Sequence, residues 1–168
     1  AGNNALYRRH RDEIAKLAQQ DMFLGNIARH IGELSVPLGL FNRFRTKSEG
    51  DFDYIDIKKQ AIAILNDIVR LYALAAGLVE PSTPGRLEQL KGSRSLSSKD
   101  NQNLLEAWQF LTQLRMNAQM YRQEGSKIPS NSVDPEALST LQRRQLKAAF
   151  KVIKDCQQGV AFKFGRNM

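Results

Sequence analysis

Five cations stand in stretches that are otherwise apolar and helical in pattern: Lys58, Lys59, Arg70, Arg86 and Arg115. A guanidinium presents a planar fork of donors that matches a phosphate or carboxylate with two parallel bonds, whereas an ammonium is a compact point charge. If folding brings several together, they form a socket for an anion. The structural alternative stays open beside it. Asp67 and Arg70 lie three apart on one helical face and can pair, and Arg86 and Arg115 can reach neighbouring acids as struts between helices. Asp51 and Asp53 alternate on an extended segment, an arrangement that can share a divalent cation. The preceding KSEG is not the Gly-Ser turn that holds phosphate in nucleotide-transfer sites, so a solvated hairpin tip is preferred. P-loop, GxGxxG, HExxH and CxxC patterns are missing. His10 and His30 are read as solvated helix-face residues. Neither catalytic residues nor metal ligands are expected in these 168 residues.

Composition bounds the setting of these cations. The length suits one domain with its own core, and 42% hydrophobic with 25% charged residues excludes collagenous, disordered and disulfide-stapled classes. The single Cys156 has no partner for an internal disulfide and falls in a helical pattern, which points to a buried thiol and a cytoplasmic setting. No apolar run reaches the ~20 residues of a membrane span, and residues 1–13 lack the apolar centre of a signal peptide. The net charge of +8 favours anionic partners: nucleotide, nucleic acid or an acidic domain. The chain also starts inside a helical pattern, as if excised from something longer.

The elements that must position the cations follow from periodicity. Residues 56–77 carry apolar side chains at three-to-four spacing and on other faces as well (Ile62, Val69, Leu74), which predicts a central, mostly buried helix. Residues 5–33 read as helix, with a break near Gln20 and Asp21 that would give two. Pro37 and Gly39 stop it. Two extended arms around KSEGD then form a hairpin that feeds the central helix. Gly77 caps that helix. Thr83 with Pro84 opens a short helix ending at Gly92. Ser97 with Asp100 opens a long one to about Arg122, with Leu104, Leu111, Ala118 and Tyr121 on its buried side. Ser139 and Gln142 make a capping box for the last. The expected fold is all-α, an antiparallel bundle of five or six helices with a small β-hairpin before the central helix, as one domain over residues 1–168.

Several segments in order resemble one family: PLGLF at 37–41, DIKK at 56–59, NDIVRLYALAAG at 66–77, Thr83 with Arg86-Leu87, Leu96-Ser97, QLR at 113–115 with Gln119, and the ending DPEALSTLQRRQLKAAFKVIK. Together they are similar to the nucleotidyltransferase substrate-binding domain, the C-terminal helical part of bacterial signal-transduction proteins. The resemblance implies a nucleotidyltransferase domain upstream, similar to that of PII uridylyltransferases and commonly behind CBS or cyclic-nucleotide-binding modules. It implies that the catalytic Gly-Ser and paired-Asp motif lies there, with Mg and a nucleoside triphosphate as its cofactors in the full-length protein and none in this part. Asp56, Lys58, Asp67, Arg70, Arg86 and Arg115 are carried over as substrate-binding candidates, for a nucleotide phosphate or an acidic acceptor protein. The rivals are a docking or homodimerising module without ligand, and a nucleic-acid binder.

Overall fold

The apolar girth of the central helix dictates what surrounds it, because a helix greasy on several faces must be covered on several faces. A computed structural model describes residues 2–122 and 124–165 and supplies that cover. Five α-helices are present among the described residues: α1 (Gly2–Glu33), α2 (Ala63–Ala75), α3 (Thr83–Gln89), α4 (Ser98–Met120) and α5 (Thr140–Phe164). α1, α3 and α5 pack on α2, and α4 lies along α5. Ile64, Leu65, Ile68, Val69, Leu71, Tyr72 and Ala73 of α2 are buried. All but Ala73 join Leu104 and Leu111 of α4 and Leu146, Phe150, Ile153 and Val160 of α5 in one core. The chain is an all-α bundle, as the periodicity predicts.

Three short strands brace the head of the central helix. β1 (Lys47–Glu49) and β2 (Phe52–Asp56) form the expected hairpin, in register through Ser48↔Asp53, with Gly50 at φ 63° in its turn. β3 (Ser132–Val133) pairs antiparallel with β2 through Ile55↔Val133 and Asp56↔Ser132. Two residues of strand inside a polar connector leave no periodic signal. The first hairpin arm is shorter than its aromatic pattern implies, because residues 40–42 coil into a helical turn with Phe41 and Asn42 both at φ 55°.

Four other local expectations change. α1 runs unbroken from Gly2 to Glu33 instead of splitting near Gln20, since nothing between them removes a backbone donor. Ser82, not Thr83, caps α3 by accepting the Gly85 N–H, which frees the Thr83 hydroxyl to bond Asn66 of α2 at 2.7 Å. Tyr121 is exposed at the end of α4 instead of buried. The start of the central helix, Lys58–Ile62, is wound as a π-turn before α2 begins. The Ser139 and Gln142 capping box forms as expected, and Gly77 at φ 72° ends α2 with Leu78 N–H on Ala73 O and Gly77 N–H on Leu74 O.

Truncating Leu65, fully buried at the centre of α2, to Ala removes core contacts that cannot close up, and urea unfolding should show a loss of about 2–5 kcal/mol. Cys156 is buried, and desolvation, then the charges of Asp100 and Asp155, push its pKa from 9.0 up to about 12. The native chain therefore keeps a proton that the unfolded chain releases. The thiol's contribution is intact below pH 9 and drains away as pH climbs toward 12. Thermal melts should show stability falling across that window, less steeply in Cys156→Ala.

Candidate functional site

The six candidate residues are distributed over three places. At the head of the central helix, Asp56 is a cap: its carboxylate accepts the Lys59 N–H at 2.9 Å, and its own N–H donates to Gln60 Oε1 at 3.0 Å. Asn131, at φ 72°, completes this end. Its carbonyl accepts the Ile57 N–H at 2.9 Å, while its side-chain oxygen accepts from Arg115 Nε at 2.6 Å and Gln119 Nε2 at 2.8 Å. Arg115 is thus a strut that ties α4 to the connector holding the helix head. Its partner is a neutral amide and not the acid expected of a strut. Lys58 and Lys59 are exposed in the first turn, against the helix dipole, and the Lys58 side chain has no hydrogen-bond or ion-pair partner among the described residues.

Arg86 occupies a second place. Its Nε donates to the Glu80 carbonyl at 2.7 Å, closing the loop between α2 and α3. Glu80 in turn accepts the Ser82 hydroxyl and N–H. These bonds, with the Arg86 charge as a smaller contribution, hold the Glu80 carboxyl below its ordinary range. Gly85 makes room for the knot, as a methyl group there would come within 2.5 Å of the Glu80 carboxylate. Arg86 is a strut too, and again its hydrogen bond goes to a neutral oxygen, here a backbone carbonyl.

The third place brings two candidates together with residues that the sequence did not single out as a group. Asp67, Arg70 and Leu74 form a three-to-four stripe on α2, facing Phe23, Asn26, Ile27 and His30 on α1. Between the stripes lies an open groove of about 510 Å³, within the ~300–1,000 Å³ range of small-ligand sites. The wall on α1 is held from α5, where Gln157 Nε2 donates to Ile31 O and Leu34 O, both at 2.9 Å, and so satisfies the last carbonyls of the helix. Asp67 and Arg70 do not pair. Neither their side chains nor those of Asn26 and His30 have a hydrogen-bond or ion-pair partner among the described residues. An unpaired guanidinium at the edge of an apolar-walled groove can take a phosphate or carboxylate at little desolvation cost. Asp67 follows His30 by 37 positions, a separation that hides the juxtaposition from any local pattern.

The remaining motif is quiet. Asp53 accepts the Ser48 hydroxyl at 2.5 Å across the exposed hairpin, and no group of three or more His, Cys, Asp or Glu able to hold a metal occurs among the described residues. No helix among them is long and apolar enough to cross a membrane.

The bundle thus carries a groove lined by an unpaired arginine and two arginines tied internally. The family model described as "Putative nucleotidyltransferase substrate binding domain" matches residues 21–164, and the chain belongs to that family. The family associates the domain with a nucleotidyltransferase partner domain. No curated protein and no solved structure matches the chain.

Struts and free cations respond differently to truncation. Arg86→Ala and Arg115→Ala each lose a charge-assisted bond that ties a loop down, and urea unfolding should register about 1–2 kcal/mol in each. Asp56→Ala should cost ~1 kcal/mol through the lost cap, while Arg70→Ala should leave stability within about 0.5 kcal/mol.

Proposed function

We propose that this domain holds the anionic part of a substrate, a nucleotide phosphate or an acidic acceptor surface, against the catalytic domain of a nucleotidyltransferase-like signalling protein similar to PII uridylyltransferases. The observation that carries the reading is Arg70, exposed and unpaired in the groove between α1 and α2. Its fork grips the anion. Asn26 and His30 on the facing wall supply further donors, Asp67 accepts from a hydroxyl or ammonium on the same ligand, and Phe23, Ile27 and Leu74 shield the contact from water. Lys58 and Lys59, uncompensated at the helix head, add long-range attraction for anions to the +8 net charge. Arg86 and Arg115 shape the bundle and do not touch the ligand. Transfer chemistry, with Mg and a nucleoside triphosphate, belongs to the catalytic domain in a cytoplasmic protein.

Calorimetry on the protein that joins this domain to its nucleotidyltransferase domain tests the assignment. Titrated with nucleoside triphosphate and Mg, Arg70→Ala should bind about 10–100-fold more weakly, the equivalent of one charge-assisted bond. Arg86→Ala should keep wild-type affinity and melt earlier. Unchanged affinity in a folded Arg70→Ala variant rejects the groove as the anion site.

A further inference from the structure

The net charge of +8 is not spread over the molecule. Residues 34–48 and 137–154 contain eight Lys and Arg and no Asp or Glu, and the remainder of the chain carries 17 of each sign. The fold lays these two segments together. Phe44 stands edge-on to Phe150 with ring centroids 6.1 Å apart, Lys147 Nζ lies 5.1 Å from the centre of the Phe44 ring, and Lys154 Nζ donates to Leu38 O at 3.3 Å. Arg143, Arg144, Lys147, Lys151 and Lys154 fall on one side of α5, adjoining its buried row. Arg43, Arg45 and Lys47 are exposed on the loop packed there. Two acids reach this basic face from outside the segments: Glu136 lies 3.3 Å from Arg143 and Asp155 2.9 Å from Lys151. Exposed pairs of this kind are weak and give way to another anion.

Out of the same loop project Leu40 and Phe41, 79% and 92% exposed. Their turn is built to keep them there. Gly39 N–H donates to Arg43 O at 2.7 Å and Arg45 N–H to Pro37 O at 3.0 Å, while Phe41 and Asn42 hold φ 55°, a strained conformation for residues with a side chain. We infer that this face binds an anionic lipid bilayer. Leu40 and Phe41 enter the apolar edge of the headgroup region, and the cations around them meet lipid phosphates and carboxylates. One such signal alone is a marginal anchor, and a basic patch joined to an apolar wedge supplies two. The apolar pair decides between anionic partners. A nucleic acid would use the same cations, but its bases need a plane to stack on or donors and acceptors to be read by, and Leu40 offers neither. An aliphatic and an aromatic side chain next to each other on a projecting tip match hydrocarbon.

Co-sedimentation of the chain with vesicles of phosphatidylcholine, alone or with about 30% phosphatidylglycerol, reads the result. The chain should pellet with the anionic vesicles only, and less of it as NaCl rises from about 0.05 to 0.5 M. Leu40→Ser with Phe41→Ser, both at exposed positions outside the core, should keep the wild-type melting temperature and bind about 10-fold or more weakly. Arg43→Gln with Arg144→Gln, whose side chains have no partner among the described residues, should weaken binding about 10–30-fold. Phe41→Trp should shift its emission to the blue on the anionic vesicles, as an indole does on leaving water. Failure to pellet with anionic vesicles overturns the inference, as do equal binding to both compositions, undiminished binding of the double Ser variant, and a Trp emission that stays in place. A chain that binds a labelled oligonucleotide and ignores the vesicles overturns it in favour of nucleic acid. None of these outcomes bears on Arg70.

Discussion

The structure depends on the need to bury α2 almost all the way round. Seven of its side chains are buried, which obliges α1, α3 and α5 to close on it and leaves polar residues only the seams between neighbours. Asn66 spends its side chain on Thr83 at the α3 seam. Asp67 and Arg70 emerge at the α1 seam, where they line a groove. The location of the proposed anion site is therefore a by-product of how an apolar cylinder is wrapped. Polar groups can survive on such a helix only where two covering elements fail to meet.

The arginines divide according to what the backbone near them lacks. Arg86 and Arg115 sit beside irregular segments, the α2–α3 loop and the connector at Asn131, where carbonyl and amide oxygens need donors. A half-buried guanidinium is well suited to that task, because it satisfies an oxygen while keeping part of its charge in water. Arg70 lies in the middle of a regular helix whose backbone already bonds to itself. No internal oxygen among the described residues claims its side chain, and Asp67, three residues earlier, leaves it unpaired. Local backbone demand, more than the residue type, separates a strut from a free cation here.

The helical fold was legible because its signals are local and redundant: the all-round apolar pattern of residues 56–77, the capping box at Ser139 and Gln142, and the Gly77 cap all agree on one answer. What escaped was short or non-local. β3 has two residues, too few to show alternation. Ser82 and Thr83 are chemically equivalent as caps, and the choice was decided by Asn66, distant in sequence. The unbroken α1 defeated an expected break because tolerated helix interiors look weak in sequence without being broken. For the site, the residue types were readable and their grouping was not. Asp56 looked like a ligand group but is a helix cap, and Gln60 and Asn131, which complete that end, carry no signal apart from their partners. His30 became interesting only once α1 lay beside α2.

The central claim is that Arg70 is reserved for an external anion while Arg86 and Arg115 are committed internally. Arginine side-chain NMR on the two-domain protein, following each Nε–H resonance as a nucleoside triphosphate is added, addresses it directly. The account predicts that the Arg70 signal moves and saturates with the ligand while those of Arg86 and Arg115 stay in place. Movement of Arg86 or Arg115 with Arg70 unaffected would contradict it.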